Sequence, residues 1–188
     1  DGIVITHGTA TLEETAYFLN LTLNIDIPVV VVGAQRPATG LSTDAAMNLV
    51  NATRVAGSPE ARGLGVLVVL NDEIQSAREV SKTSTFRMQT FRTPDFGVLG
   101  HADPDRVAFY RRPIRKHAPD TIFDVNGLSD LPRVDISYTY AGTDGTDIGA
   151  FVSAGAKGIV VAGFAPGLNT PQQLEAMTAA QQQGVVVV

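Results

Sequence analysis

The sequence contains no cysteine, which excludes disulfide bonds and thiolate chemistry. It also lacks any apolar run that approaches the roughly 18 residues a membrane-spanning helix needs. Positive charge is scarce as well, because 14 basic residues stand against 19 acidic ones and leave a net charge of −5. We therefore expect neither nucleic-acid binding nor attachment to a membrane surface.

Several familiar cofactor and catalytic motifs are missing too. No G-x-G-x-x-G, Walker A or G-x-S-x-G pattern is present. The three histidines, His7, His101 and His117, are scattered and have no carboxylates at ligand spacing, so we predict no metal site and no cofactor. His7 lies beside a strand end, where we expect a hydrogen-bonded structural residue rather than a base.

The sequence does contain a regular alternation of short apolar strands and amphipathic helices. Continuous apolar runs at Pro28–Val32 and Val66–Leu70 are typical of strands buried on both faces. The βαβ spacing predicts an α/β fold with a mostly parallel sheet covered by helices. The segment Glu73–Phe86 has no helical period and is predicted to be extended or a hairpin, and Phe91–Tyr110 is predicted to form edge strands.

The composition predicts two domains. Apolar periodicity lapses between Lys116 and Pro132, where Asp, Gly and Pro gather, and we predict a linker over 118–132. It would join an N-terminal domain over 1–117 to a smaller α/β domain over 133–188. Strand-like segments stand at both ends of the sequence, so we expect both domains to be truncated pieces of a longer protein.

The segment Ile3–Leu19 is predicted to form a strand, a tight turn and a helix. The letters TLEE from Thr11 match a capping box, in which Thr11 caps the helix and Glu14 reaches back. Gly8 leaves room for a ligand to approach the backbone. Thr9 places a hydroxyl at the carboxyl end of the strand, where open parallel sheets bind small molecules. The local chemistry predicts a polar or anionic ligand without naming a reaction.

Lys82, in the stretch REVSKTST over 78–85, is a second candidate. Most lysines are solvated on the surface, and this is the default interpretation. In the alternative, Lys82 is drawn into the pocket, where its neutral amine would take a proton from a threonine hydroxyl or a water. Spacing alone leaves both interpretations open.

The run HGTATLEETAYFL from His7 to Leu19 closely resembles the HGTDT-x-EETA-x-FL signature of bacterial-type L-asparaginases and glutaminase-asparaginases. The resemblance is clear up to about Tyr140 and weaker beyond it. Further matching runs follow in order: VVGAQRP at 31–37, NLVNA at 48–52, GVLVVLND at 65–72, REVSKT at 78–83 and RKH at 115–117.

The resemblance implies a flavodoxin-like N-terminal domain and a cofactor-free amidohydrolase. A side-chain amide would be hydrolysed to a carboxylate plus ammonia through a threonine nucleophile and an acyl-enzyme. Thr9 and Lys82 match the triad-like half of the family site, in which Lys82 polarises Thr9 or the attacking water. The family threonine held to attack first belongs to a T-G-G-T motif that would precede Asp1, so the 188-residue piece is expected to be inactive alone.

The resemblance also assigns substrate contacts to Gly8, Thr9, Ala10 and Ala34. The backbone carbonyl of Ala34 matches the group that holds the amide nitrogen of the departing ammonia. The implied partner is a small amide such as asparagine or glutamine. The implied assembly is a homotetramer, a dimer of dimers in which one subunit's C-terminal domain completes its neighbour's site. The compartment stays open between bacterial cytoplasm and periplasm.

Two positions depart from the family pattern. Ala10 stands where the family has an aspartate that orients the lysine and contacts the substrate α-ammonium group. The turn Gly163–Gly167 replaces a G-x-G-N-G-like turn that borders the same end of the substrate. Loss of a charge-assisted contact in a desolvated site costs roughly 2–4 kcal/mol. This corresponds to about one and a half to three decades in rate.

We therefore expect a divergent amidohydrolase that prefers a substrate without a free α-ammonium group. One alternative is a catalytically degenerate asparaginase-like protein with a binding or regulatory role. Another is an unrelated α/β domain that binds a nucleotide or phosphate at the Gly8 turn.

Overall fold

The computed structural model describes all residues from Asp1 to Val188, which form two compact units, Asp1–Val125 and Asn126–Val188. The elements of the first unit are β1 (Ile3–Thr6), α1 (Leu12–Thr22), β2 (Val29–Val32), α2 (Ala45–Ala56), β3 (Val66–Leu70), β4 (Glu73–Ser76), β5 (Ser81–Lys82), β6 (Phe91–Arg92), β7 (Gly100–Ala102) and β8 (Val107–Phe109). A short 3₁₀ helix lies between α2 and β3, at Pro59–Ala61.

The first unit contains a six-stranded sheet in the order β1-β2-β3-β4-β7-β8. Its first three strands are parallel, and the remaining pairs are antiparallel, so the sheet is mixed. The change of direction follows from the turn between β3 and β4, where Asn71 and Asp72 have φ values of 53° and 63°. Such a two-residue hairpin turn allows only antiparallel pairing. The predicted α/β class is confirmed, and within the first unit parallel pairing is confined to β1–β3.

Helices cover both faces of the parallel strands. All four valines of β2 are buried, as a strand between two helical layers requires. One face packs against α1 in a cluster that includes Leu12, Ala16, Val29, Val31, Val66, Val68, Val80 and Phe91. The other packs against α2 in a cluster that includes Val30, Val32, Ala52, Val55, Ala56, Leu67, Val69, Ile74 and Leu99. The carboxyl ends of β1 and β2 are therefore held in fixed positions.

The first turn of α1 differs from the prediction. Thr11 occupies the N-cap position, but its side chain makes no capping hydrogen bond, and Glu14 is exposed. Thr11 has φ −127° and ψ 17°, whereas a capping hydroxyl reaches the helix amides from an extended backbone. The predicted capping box is therefore wrong.

Buried asparagines of α2 hold the ends of two strands. The Asn48 side chain accepts a hydrogen bond from the Asn71 N–H at 2.9 Å and donates one to the Gly33 carbonyl at 3.0 Å. Asn51 donates to the Asp72 carboxylate at 2.7 Å. These bonds satisfy polar groups that would be costly to bury alone and link the carboxyl ends of β2 and β3.

The second unit is a small parallel α/β layer. Its elements are β9 (Val134–Tyr138), α3 (Thr146–Ser153), β10 (Gly158–Ala162), α4 (Pro171–Gln182) and β11 (Val186–Val187). The strands pair in the order β11-β10-β9 around a core that includes Ile148, Ile159, Ala180 and Val185. No helix or strand occurs between Phe109 and Val134. None of the four α-helices has the length and hydrophobicity that crossing a bilayer would require.

Candidate active site

The turn between β1 and α1 is held by His7. Its backbone N–H donates to the Val32 carbonyl at 2.8 Å. Nδ1 lies 2.7 Å from the Gly8 carbonyl oxygen, and Nε2 lies 3.0 Å from the Thr15 hydroxyl. Because a carbonyl oxygen can only accept, Nδ1 donates to Gly8, and in a neutral imidazole Nε2 then accepts from the Thr15 hydroxyl. Both ring nitrogens therefore serve the turn, in agreement with a structural histidine.

Gly33, directly after β2, packs closely against the same turn. A Cβ atom at this position would lie 2.7 Å from the His7 carbonyl oxygen and 3.1 Å from the Thr9 methyl carbon. Only glycine fits without moving the turn, since the first distance is shorter than real Cβ contacts. The close approach fixes Thr9 relative to the end of β2.

Thr9 and Lys82 meet although they are 73 residues apart in the chain. The Lys82 Nζ donates a hydrogen bond to Thr9 Oγ1 at 2.8 Å, in partly buried surroundings. Lys82 belongs to β5, which pairs antiparallel with β6. Of the two interpretations of Lys82, the structure supports the one in which its amine is drawn towards a threonine hydroxyl. The catalytic roles of the two residues stay predictions.

Glu13 was missed as a site residue by the sequence reasoning. Its carboxylate accepts hydrogen bonds from the Lys82 backbone N–H and, at 3.1 Å, from the Ser81 hydroxyl. Glu13 lies in the first turn of α1, where the capping pattern drew attention to Glu14 instead. Nothing in the sequence indicates this long-range contact.

Two clefts adjoin the Thr9–Lys82 pair. The first, of about 400 Å³, is lined by Thr6, His7, Gly8, Val32, Gly33, Ala34, Ala45 and Leu49. The second, of about 340 Å³, is lined by Ala10, Lys82, Thr83, Ser84 and Thr85. Gly8 and Ala34 thus share one cleft, Ala10 lies in the other, and Thr9 stands between them along the chain. No acidic residue lines either cleft.

The loops around these clefts are hydrogen-bonded to one another. The Gln35 side-chain amide donates to the Thr85 carbonyl at 3.3 Å and to the Arg87 carbonyl at 3.0 Å. The Thr90 hydroxyl accepts from the Ser84 N–H at 2.8 Å. The loop that carries Ala34 and the loop that follows Lys82 are therefore fixed to each other.

Asp44 anchors the Ala34 loop from the start of α2. Burial disfavours its charged form, but it accepts the N–H groups of Gln35 and Arg36 at 2.9 and 3.0 Å and the Asn48 amide at 2.8 Å. These bonds outweigh burial and hold the pKa of Asp44 below its ordinary value. The carboxylate is therefore ionised at neutral pH, when it holds the loop.

We expect Asp44→Asn to lower the free energy of unfolding at neutral pH by about 1 kcal/mol. The side-chain NH₂ of the new asparagine would face a backbone N–H, so that two donors meet and one hydrogen bond is lost. The stabilisation in the wild type is present above the unfolded pKa, near 3.8, and is lost as pH falls through the lower folded pKa. Urea unfolding should therefore show a difference between the two proteins that shrinks below about pH 3.8. The exposed Asp105, whose side chain has no partner, provides the control Asp105→Asn. A pH-independent difference would contradict the expectation.

Family models match most of the chain. Residues 1–115 match the model described as Asparaginase, N-terminal, and residues 133–188 match the Glutaminase/Asparaginase C-terminal domain. The whole chain is 50% identical to L-asparaginase 2 of Bacillus subtilis (strain 168) and covers 50% of that protein. It is 46% identical to the glutaminase-asparaginase of Pseudomonas fluorescens biotype A and covers 52% of it. The chain thus spans about half the length of the curated relatives it matches.

Solved structures agree with this similarity. The crystal structure of the probable cytoplasmic L-asparaginase from Campylobacter jejuni matches with a TM-score of 0.96 and 46% identity. The match covers 100% of this chain and 61% of that one. Asparaginase family models match both parts of the chain, and the fold agrees with that of a solved L-asparaginase. The chain therefore belongs to the asparaginase family.

Proposed function

We propose that the protein carrying this chain is an asparaginase-like amidohydrolase, which hydrolyses a side-chain amide to a carboxylate plus ammonia. The observation that carries the proposal is the 2.8 Å hydrogen bond from Lys82 Nζ to Thr9 Oγ1 beside two clefts. The relatives named L-asparaginase and glutaminase-asparaginase support asparagine and glutamine as the class of substrate.

The reaction has two steps. A threonine hydroxyl adds to the amide carbon, the C–N bond breaks, and the nitrogen leaves as ammonia with the hydroxyl proton. Water then cleaves the resulting ester, which regenerates the threonine and releases the carboxylate. Lys82 orients Thr9 and polarises it or the attacking water, while Thr9 activates or stabilises the reacting carbonyl. The threonine that attacks first is assigned to the family's T-G-G-T segment.

Backbone groups would hold the amide end of the substrate. Gly8 and Ala34 line the same cleft, so a ligand there can reach main-chain atoms of both loops. The Ala34 carbonyl is proposed to accept a hydrogen bond from the amide nitrogen that leaves as ammonia. Asp44 and Gln35 keep its loop in place through the bonds described above.

The other end of the substrate should carry no positive charge. Ala10 is exposed in the second cleft beside Lys82, and its neighbours there are the hydroxyl residues Thr83, Ser84 and Thr85. An α-ammonium group placed against them would meet no carboxylate. We therefore propose a preference for amides that lack this group or carry it acylated.

Ammonia release from paired substrates tests the proposal. Succinamic acid differs from asparagine only by lacking the α-ammonium group, and N-acetylasparagine carries that group acylated. We expect kcat/KM for both to exceed that for asparagine and glutamine by at least about tenfold, which corresponds to the loss of one charged contact. The full-length protein is used, with the Bacillus subtilis relative as assay control. Efficient turnover of free asparagine would reject the preference.

A second candidate is a binding or regulatory protein that kept the fold and lost the chemistry. The alanine at position 10 favours it, because the residue type cannot replace a carboxylate. Calorimetry with the same amides separates the two candidates, since binding without ammonia release would identify the degenerate protein.

We also propose the division into a domain over 1–117 that carries the Thr9–Lys82 half-site, a linker over 118–132 and a second domain over 133–188. The unit boundary after Val125 and the family matches that end at 115 and begin at 133 support this division. The homotetramer, a dimer of dimers, is proposed from family membership alone.

A further inference from the structure

Both carboxylate oxygens of Glu13 are used by one short strand. Oε1 accepts the Ser81 hydroxyl at 3.1 Å, and Oε2 accepts the Lys82 N–H. These two partners are the whole of β5. Charge-assisted hydrogen bonds of this kind are stronger than neutral ones, and a carboxylate in the first helical turn also interacts favourably with the helix dipole.

The strand needs such an anchor because its own pairing is weak. β5 has two residues and pairs only with β6, outside the six-stranded sheet. The buried side chains of Val80 and Phe91 attach this two-stranded ribbon to the α1 cluster, and the Gln75 side-chain amide donates to the Phe91 carbonyl at 3.2 Å. The hydrogen bond from Gln75 holds β6, and β5 is linked to it through its pairing with β6. The bonds from Glu13 anchor β5 directly, at the backbone of the residue whose side chain reaches Thr9.

We propose that Glu13 is a positioning residue for Lys82: it holds the β5 backbone against the first turn of α1, so that the lysine amine meets the Thr9 hydroxyl. The role rests on the proposed amide hydrolysis and concerns the same site. It matters more here than in a site with an acidic residue at position 10, because Ala10 gives the lysine side chain no carboxylate to orient it.

Activity of the full-length protein provides the first test, with the best amide found as substrate. Glu13→Ala should lower kcat by about 10- to 100-fold with KM changed less than about threefold, since small displacements of catalytic groups have effects of this size. Glu13→Gln should recover most of kcat, because its oxygen can accept the Lys82 N–H and its NH₂ can donate to Ser81. Glu14→Ala, in the same helical turn, is the matched control and should leave kcat unchanged. Equal losses in the alanine and glutamine variants would overturn the proposal.

A double-mutant cycle separates positioning from general stability. If Glu13 acts through the lysine, Glu13→Ala should have no further effect on kcat in a Lys82→Ala background. Losses that multiply would show that Glu13 acts elsewhere. Should Lys82→Ala alone keep full activity, the catalytic assignment of the proposed function fails. The position of the Lys82 side chain must then be measured without an activity assay.

Lysine NMR on the full-length protein reports the surroundings of the Lys82 amine directly. Lys116 and Lys157 are exposed and serve as reference signals. With ¹³Cε-labelled lysine and assignment of the Lys82 signal by its loss in Lys82→Arg, that signal should stand apart in the wild type and in Glu14→Ala. It should move to the position of the exposed lysines in Glu13→Ala. A Lys82 signal that stays in place would overturn the positioning role whether or not the protein hydrolyses amides.

Discussion

Lys82→Met should reduce kcat for amide hydrolysis by about 10²–10⁴-fold, the range that a positioned proton-transfer group contributes. Methionine keeps the length of the side chain and removes the only group that donates to Thr9 Oγ1. The loss should appear in kcat, measured as ammonia release by the full-length protein, with KM changed little. Lys116→Met replaces an exposed lysine without a partner and should leave kcat unchanged.

Thr9→Val should lower kcat by a similar factor, because valine has the shape of threonine without the hydroxyl. The combined Thr9→Val and Lys82→Met variant should be no slower than the slower single variant, since groups that act as a unit are not additive. Losses that multiply, or a Lys82→Met protein that keeps more than a tenth of kcat, would remove the pair from the mechanism. Circular dichroism spectra of all variants check that the fold is intact.

Ala10→Asp should raise kcat/KM for asparagine by about 30- to 1000-fold, the equivalent of roughly 2–4 kcal/mol for a charge-assisted contact. Ala10 is exposed and lines the same cleft as Lys82, so a carboxylate there has room and a cationic neighbour. The cleft has no other acidic residue that could already serve the α-ammonium group.

The substrate comparison makes this result specific. Succinamic acid has no α-ammonium group, so its kcat/KM should rise far less in the same variant. Ala10→Asn has a similar shape without the charge and should give little gain with either substrate. Equal gains for asparagine and succinamic acid would mean that the new side chain improves the geometry of the site and not the recognition of charge.

The sequence predicted the elements whose cause is local. β2 and β3 are short runs of valine and leucine bounded by turn-forming residues, Pro28 and Gly33 for β2 and Gly65 and Asn71 for β3. Such runs have few alternatives to a buried strand. The polar Asn71–Asp72 pair follows the second run directly, and the structure places the hairpin turn at these two residues.

The supports of the site could not be predicted in this way. Glu13 and Asp44 both stand at the start of a helix, where a carboxylate can cap the helix or bind elsewhere with similar local energy. In both cases the fold brings backbone donors from another segment within reach, at Lys82 and at Gln35. The Thr9–Lys82 contact joins residues 73 positions apart, and the resemblance to a family, rather than any local pattern, indicated it.

The ribbon of β5 and β6 lies outside the six-stranded sheet, yet it carries the lysine of the site. Small substructures of this kind can detach at a lower free energy than the domain needs to unfold. Gentle warming or dilute denaturant should therefore abolish the proposed activity while the main sheet stays folded. Substitutions that strengthen the attachment of the ribbon should then prolong the activity more than substitutions in the α2-facing cluster, which contains no residue of the ribbon.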